Sequence, residues 1–327
     1  MEKTHSKNLS PTQMPHVVLM LGPHVRGSEA AVKKVIVNER PRMLLLESLG
    51  NKRGHVKILK DLHEDAPRFV HHPADGYAVP SRVYLLAKEH EIPFELAEPP
   101  YDEATFKRIL SKQAEYQAKL GGSIKLVTSG GKLEEALRLT GDSIQSMKEA
   151  HAERDSNLAD NIYKQAKAHG VVAAFLGHAH MPVVRKLAEK GAKVTVYYSG
   201  GTFPASNALP QRSNLPEPSR SQLIKELFSM TMADYLCNRY NLDPVNLMHG
   251  LQGGTVFNQL TKIPVPAIEA MFKASEGKTP VGCRNDLLTL LSAHNVKMPS
   301  QSEMEGIVHS ASYPEFRKVK VFEPLQP

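Results

Sequence analysis

Three apolar runs in this 327-residue chain each lead into a residue that can bind a metal: His24 after 17–21, Glu47 after 43–46, and His180 after 171–176. Two imidazoles and one carboxylate fill three positions around a divalent ion and leave room for water, as in catalytic sites. Such an ion lowers the pKa of its bound water toward about 7 and polarises a carbonyl. Glu47 could instead be the base that takes the water proton. These residue types therefore predict a hydrolytic metal site.

Buried strands would bring the three residues together. Runs of four to six apolar residues bounded by Gly or Pro are typical of buried strands. Ligands of open α/β sheets bind outside the carboxyl ends of the strands. Apolar residues at helical spacing in 28–36 and 142–169 predict helices between these strands. We therefore expect an α/β fold, with strands alternating with helices in a mixed, largely parallel sheet, and a mainly helical C-terminal region.

The composition divides the chain into three parts. Residues 1–15 are polar and predict a disordered leader, 16–212 predict the α/β domain, and 213–327 predict a mainly helical accessory region. Between the last two parts, 199–221 is rich in Pro, Gly and Ser, which is typical of a linker. Further helices are predicted at 82–89, 102–120, 181–190, 222–240, 264–275 and 286–294, a capping box at 300–303, and strands at 93–96, 124–127, 193–198 and 319–322.

The charge and composition limit the possible partners. The net charge is +7, but the basic residues are dispersed among 34 carboxylates, and aromatic residues make up only 6% with no Trp. We therefore expect no nucleic-acid partner and a mild preference for anions. No stretch approaches the roughly 18 apolar residues of a membrane span, and no secretory signal peptide is recognisable. Together with Cys237 and Cys283, which lack metal-like spacing, these features predict a cytoplasmic protein.

Two segments carry a family resemblance. The first, VVLMLGPHVRGSEAAVKKVIVNERPRMLLLES, combines a strand, a turn ending in His, a helix and a strand ending in Glu. The second, ERDSNLADNIYKQAKAHGVVAAFLGHAHMPVVRKLAEKGAKVTVYY, combines an Arg-led helix with a strand ending in a Gly-x-x-His turn. Over about residues 16–198 the chain resembles the TraB, PrgY and GumN family, which is related to the Tiki metalloproteases and to the ChaN and erythromycin-esterase proteins.

The resemblance implies a metalloprotease in which a divalent ion, Mn, Co or Zn, activates water to cleave a peptide or protein substrate. Its metal positions fall on His24, Glu47 and His180, and its catalytic positions on Glu47 and Arg154. His178 is an added neighbour of His180 that could support the ligands from outside. Arg154 would either neutralise Glu47 or clamp a substrate carboxylate or the developing oxyanion, because its guanidinium presents a fixed fork of donors.

Other interpretations remain open. The motif Gly177-His178-Ala179-His180 also resembles the GHxH motif of metallophosphoesterases, although Gly22 stands where that superfamily needs Asp. The turn before His24 is one residue shorter than the TraB turn, which favours a non-catalytic TraB-like binding or signalling protein. Each residue also has a purely structural explanation. A His at the end of a strand can simply be a polar residue that makes hydrogen bonds in a turn. Likewise, Arg154 could make one more exposed ion pair on a helix, which contributes little.

Overall fold

The computed structural model describes residues 14–22, 28–50, 52–69, 75–198, 218–242, 259–260, 262–310 and 316–319. The chain forms two compact units. We call Met1–Glu103, Glu153–Ser199 and Glu315–Pro327 the sheet unit, and Ala104–Ala152 and Gly200–Pro314 the helical unit. The division crosses one long helix immediately after Ala152.

Each of the first five strands is separated from the next by one or two helices among the described residues. The strands are β1 (His16–Leu21), β2 (Met43–Leu46), β3 (Phe94–Leu96), β4 (Val171–Leu176), β5 (Lys193–Tyr198) and β6 (Arg317–Val319). The helices are α1 (Ser28–Glu39), α2 (Lys52–Phe69), α3 (Asp75–Glu89), α4 (Glu103–Thr128), α5 (Leu133–His169), α6 (Pro182–Glu189), α7 (Arg220–Tyr240), α8 (Val265–Ser275), α9 (Pro280–Ala293) and α10 (Gln301–Ser310). A short 3₁₀ helix, His178–His180, follows β4.

The six strands form one sheet in the order β3-β2-β4-β1-β5-β6. The first five are parallel, and β6 pairs antiparallel with β5. This arrangement confirms the predicted α/β class with a largely parallel sheet. Because β2, β4 and β1 are neighbours, their carboxyl ends lie side by side, with Leu46 opposite Phe175 and Leu21 opposite Leu176.

Both faces of the sheet are covered, as the continuous apolar strands require. On one face, Leu19 and Leu45 pack with Leu158 and Ile162 of α5. On the other face, Leu44 and Phe175 pack with α1 and α3. Because α5 leads directly into β4, it runs back along the sheet. The α5 residues shortly before Leu158 therefore lie near the carboxyl ends of the strands.

One predicted strand is wrong. Residues 124–127 belong to α4, whose buried positions recur at helical spacing: Tyr116, Leu120, Ser123 and Val127. This pattern extends the helix through the segment for which a strand was predicted. The predicted C-terminal helices are confirmed in α7, α8 and α9, and the capping box joins Ser300 and Glu303. The predicted strand 319–322 overlaps β6 at residue 319, and 320–322 lie outside the described residues.

The helical unit has its own apolar core. Leu227 and Phe228 of α7 pack there with Phe272 of α8 and Leu291 of α9, and α4 contributes Val127. Residues 1–13 of the predicted leader, and the predicted domain boundary after 212, lie outside the described residues, so this division stays a prediction. In the described part of the chain, no helix is long and apolar enough to cross a membrane.

Candidate metal centre

Glu47 is the first residue after β2, and β4 and its turn hold it. Its backbone N–H donates to the Phe175 carbonyl at 3.0 Å, which continues the strand pairing. Its side-chain Oε2 accepts a hydrogen bond from the Gly177 N–H at 2.6 Å. A Cβ at position 177 would lie only 3.1 Å from Oε2. The glycine therefore lets the carboxylate approach the backbone closely.

His180 ends the 3₁₀ helix after β4 and is buried, with 1% of its surface exposed. Its Nε2 lies 2.9 Å from Oε1 of Glu47, and its Nδ1 lies 2.6 Å from Oδ1 of Asp155. The imidazole therefore lies between two carboxylates. The structure brings together Glu47 and His180, two of the residues singled out from the sequence, because their strands are neighbours in the sheet.

The surroundings of His180 raise the pKa of its imidazole to about 9. Burial is the largest single influence and lowers this pKa. The Glu47 charge and the hydrogen bonds to Asp155 and Glu47 together outweigh burial and the opposing charge of Arg154. At neutral pH the metal-free ring is therefore an imidazolium that donates one N–H to each carboxylate.

Arg154 of α5 is also buried, with 4% of its surface exposed. It joins Glu47 and His180 in one hydrogen-bonded network. Its Nε and Nη2 donate to the two oxygens of Glu98 at 2.7 and 2.9 Å, and Nη2 also donates to Oε1 of Glu47 at 2.8 Å. Burial lowers its pKa, but the hydrogen bond to Glu98 and the Glu47 charge raise it overall. The alternative of an exposed ion pair is therefore wrong for Arg154.

Glu98 and Asp155 belong to the network but were not identified from the sequence. Glu98 is fully buried, and Oε1 also accepts a hydrogen bond from the Tyr101 hydroxyl at 3.1 Å. Burial and the Glu98 charge raise the pKa of Tyr101. Glu98 lies two residues beyond β3, so its position at the end of a strand was a usable signal. For Asp155, the only signal in the sequence was its position next to Arg154.

A metal ion could be held at His151, Asp155 and His180. Each offers one ligand atom, and these atoms lie within 4.8 Å of one another. His151 precedes Asp155 by one turn of α5, so the helix itself sets their proximity. Of the other predicted site residues, His24 lies outside the described residues. The side chain of His178 is likewise not among those described.

The charges of the network fit a bound cation. Three carboxylates face one guanidinium and one imidazolium, which leaves one net negative charge among these five side chains: Glu47, Glu98, Asp155, Arg154 and His180. A divalent cation replacing one imidazolium proton would bring the sum for these side chains to zero. The donor set of imidazole nitrogen and carboxylate oxygen suits a transition metal or zinc.

No family model matches the chain, and neither the curated proteins nor the solved structures include a significant match to it. The resemblance to the TraB family therefore stays a proposal.

Proposed function

We propose that the sheet unit is a metal-dependent hydrolase, most specifically a Tiki-like metalloprotease of the TraB family that acts on a peptide or protein. The observation that carries this proposal is the contact between Glu47 and His180, at 2.9 Å, beyond the ends of β2 and β4. A carboxylate and an imidazole from neighbouring strand ends form part of the ligand set that catalytic zinc-type sites use.

Glu47 and the Nε2 of His180 would hold the ion, Mn, Co or Zn, with His24 as the third ligand by resemblance. Two ligands on one tetrahedral ion are about 3.4 Å apart when each bond is near 2.1 Å. The observed 2.9 Å therefore needs only a small separation of the two side chains. When bound, such an ion supplies an activated water and polarises a carbonyl.

The surrounding residues have distinct roles in this proposal. Asp155 accepts the Nδ1 proton of His180, which leaves the Nε2 lone pair for a ligand bond and fixes the ring. Glu47 is held through Oε2 by the Gly177 N–H, so its Oε1 would serve either as a ligand of the ion or, instead, as the base that takes a proton from water. Arg154 orients and neutralises Glu47. The engagement of its Nε and Nη2 with Glu98 and Glu47 supports this role over that of a substrate clamp.

The second candidate is a non-catalytic TraB-like binding or signalling protein. It is favoured by the hydrogen bonds within the network, because Glu47, Glu98 and Asp155 each face a donor from the protein. Such a network could join β2, β3, β4 and α5 without an ion. A buried ion pair of this kind is itself weak evidence for added stability.

Metal content separates the two candidates. The protein is saturated with Mn, Co or Zn, dialysed and analysed by inductively coupled plasma mass spectrometry. The enzyme proposal expects one ion per chain, lost in Glu47→Gln and His180→Ala. His169→Ala, outside the network on the same helix as Asp155, is the control. An unloaded wild type would support the non-catalytic candidate, and two ions per chain would favour a metallophosphoesterase.

The same measurement distinguishes the two ligand sets that share His180. Loss of the ion in Glu47→Gln and its retention in His151→Ala supports the proposed set. The reverse pattern would move the ion to His151, Asp155 and His180. Circular dichroism checks that each variant is folded.

A test of activity follows. The metal-loaded protein is incubated with a peptide library, and mass spectrometry detects cleavage that a chelator abolishes.

A further inference from the structure

The helical unit contains a cavity of its own. Its volume is about 800 Å³, and its walls come from α4, α7, α8, α9 and the start of α10. Small-molecule sites typically enclose about 300 to 1,000 Å³. The cavity is therefore large enough for an organic ligand, and it lies wholly within one compact unit.

One part of the cavity wall is apolar. Val127, Met271, Phe272 and Leu287 line it, and each exposes less than a tenth of its surface. The area that these side chains still expose to the cavity gains free energy when a ligand excludes water from it. A ligand that fills this part of the cavity should therefore present an apolar body.

The rim of the cavity carries two arginines stacked on tyrosines. Arg239 donates from Nη1 to the Tyr235 hydroxyl at 2.8 Å, and its guanidinium lies 5.5 Å from the Tyr240 ring. The guanidinium of Arg284 lies 5.6 Å from the Tyr235 ring. Both cations therefore contact the same tyrosine, Tyr235. Stacking on an aromatic face leaves the edge donors of a guanidinium able to bind an anion.

Neither arginine forms an ion pair with a carboxylate in the described part of the chain. Asp234 also lines the cavity, and its Oδ2 accepts a hydrogen bond from Asn238 at 3.2 Å. Among the described residues that line the cavity, the charged ones are Asp234, Arg239 and Arg284, and together they carry one net positive charge. This contrasts with Arg154 and Arg220, whose guanidiniums both contact two protein carboxylates.

We propose that the cavity of the helical unit binds an organic anion, with an apolar body against Phe272 and Leu287 and an acidic group between Arg239 and Arg284. The acidic group is a carboxylate, sulfonate or phosphate, because guanidiniums bind such groups through charge-assisted hydrogen bonds. The proposal does not depend on the metal centre.

Two fluorescent probes test the charge and the apolar body separately. 8-Anilinonaphthalene-1-sulfonate has an aromatic body and a sulfonate, whereas N-phenyl-1-naphthylamine has the same aromatic body without the charge. Each probe is titrated into the full chain, into Arg239→Gln/Arg284→Gln, and into the control Arg138→Gln. Arg138 is in the helical unit, where it pairs with Asp142, and it does not line the cavity.

The sulfonate should bind the wild type and the control alike, and the double variant about tenfold or more weakly, since two hydrogen bonds from charged groups are lost. Affinity for the neutral probe should stay within about twofold in all three proteins. Circular dichroism verifies folding. Equal sulfonate affinity in the double variant and the control, equal weakening of both probes, or no sulfonate binding to the wild type would each overturn the proposal.

Discussion

Arg154 in the sheet unit has surroundings opposite to those of Arg239 and Arg284 in the helical unit. In the sheet unit, the buried guanidinium of Arg154 bridges Glu47 and Glu98, so the protein supplies both signs of charge. In the helical unit, Arg239 and Arg284 stack on tyrosines at a cavity rim without a carboxylate partner among the described residues. The first arrangement orients side chains within the fold. The second leaves the anion to be supplied by a ligand.

The largest effect is expected for Arg154→Met. The substitution leaves Glu98, fully buried, without its guanidinium, and removes the contact between Arg154 and Glu47. Removing one partner of a buried ion pair typically costs about 3 to 5 kcal/mol of stability. Denaturant unfolding followed by circular dichroism would measure this loss as a lower midpoint.

Arg220→Met is the matched control in the helical unit. Arg220 also contacts two carboxylates, Glu134 and Glu269, but its side chain is 45% exposed. Exposed ion pairs contribute little because water and salt screen them. The unfolding midpoint of Arg220→Met should therefore stay close to that of the wild type. Equal midpoints for the two variants would show that burial does not distinguish these two arginines energetically.

The sequence was sufficient to predict the sheet and part of the site. Apolar runs bounded by Gly or Pro located β1, β2 and β4. The rule that ligands bind beyond the carboxyl ends of the strands then selected Glu47 and His180. Glu98 follows the same rule but was missed, because β3 contains only three residues and the charged Glu95 separates its two apolar ones. A stricter use of the rule on every strand would have included it.

Asp155 was beyond the reach of the same reasoning. It lies among charged neighbours on α5, where the sequence is typical of an exposed helix face. Its burial depends on how α5 packs on the sheet, a long-range property that local periodicity does not specify. For the same reason, nothing in the sequence indicated that α4 and the first half of α5 group with the C-terminal helices.

A smaller effect is expected from pH in the metal-free protein. The pKa of His180 is raised from 6.5 to about 9; burial opposes the rise, but the Glu47 charge and hydrogen bonds to Asp155 and Glu47 outweigh it. A raised folded-state pKa contributes stability that is fully present below about 6.5 and is lost as the pH rises through about 9. Over this window the free energy of unfolding should fall by roughly 1 to 3 kcal/mol.

Unfolding at several pH values with a chelator present would measure this fall. The groups facing the imidazole include Glu47, Asp155, Arg154 and His151. The test variant therefore changes His180 and leaves these four side chains as they are. In His180→Gln, the extra slope between about pH 6.5 and 9 should disappear. Stability of the wild type that rises across this window, or an unchanged slope in the variant, would contradict the assigned charge of the ring.

The smallest effect is expected for Gly177→Ala. The added methyl would lie 3.1 Å from Oε2 of Glu47, so the carboxylate must move by a few tenths of an ångström. Because Arg154 and His180 both hold its Oε1, we expect the variant to lose about 1 kcal/mol of stability and to bind metal more weakly.

The same substitution at Gly121 is the control. It lies within α4 with no neighbouring atom inside 4 Å of the new Cβ, so it should stabilise the protein by about 0.5 to 1 kcal/mol. Unfolding midpoints that rise equally in both variants would mean that Glu47 moves freely and that the sheet-unit network is not rigid.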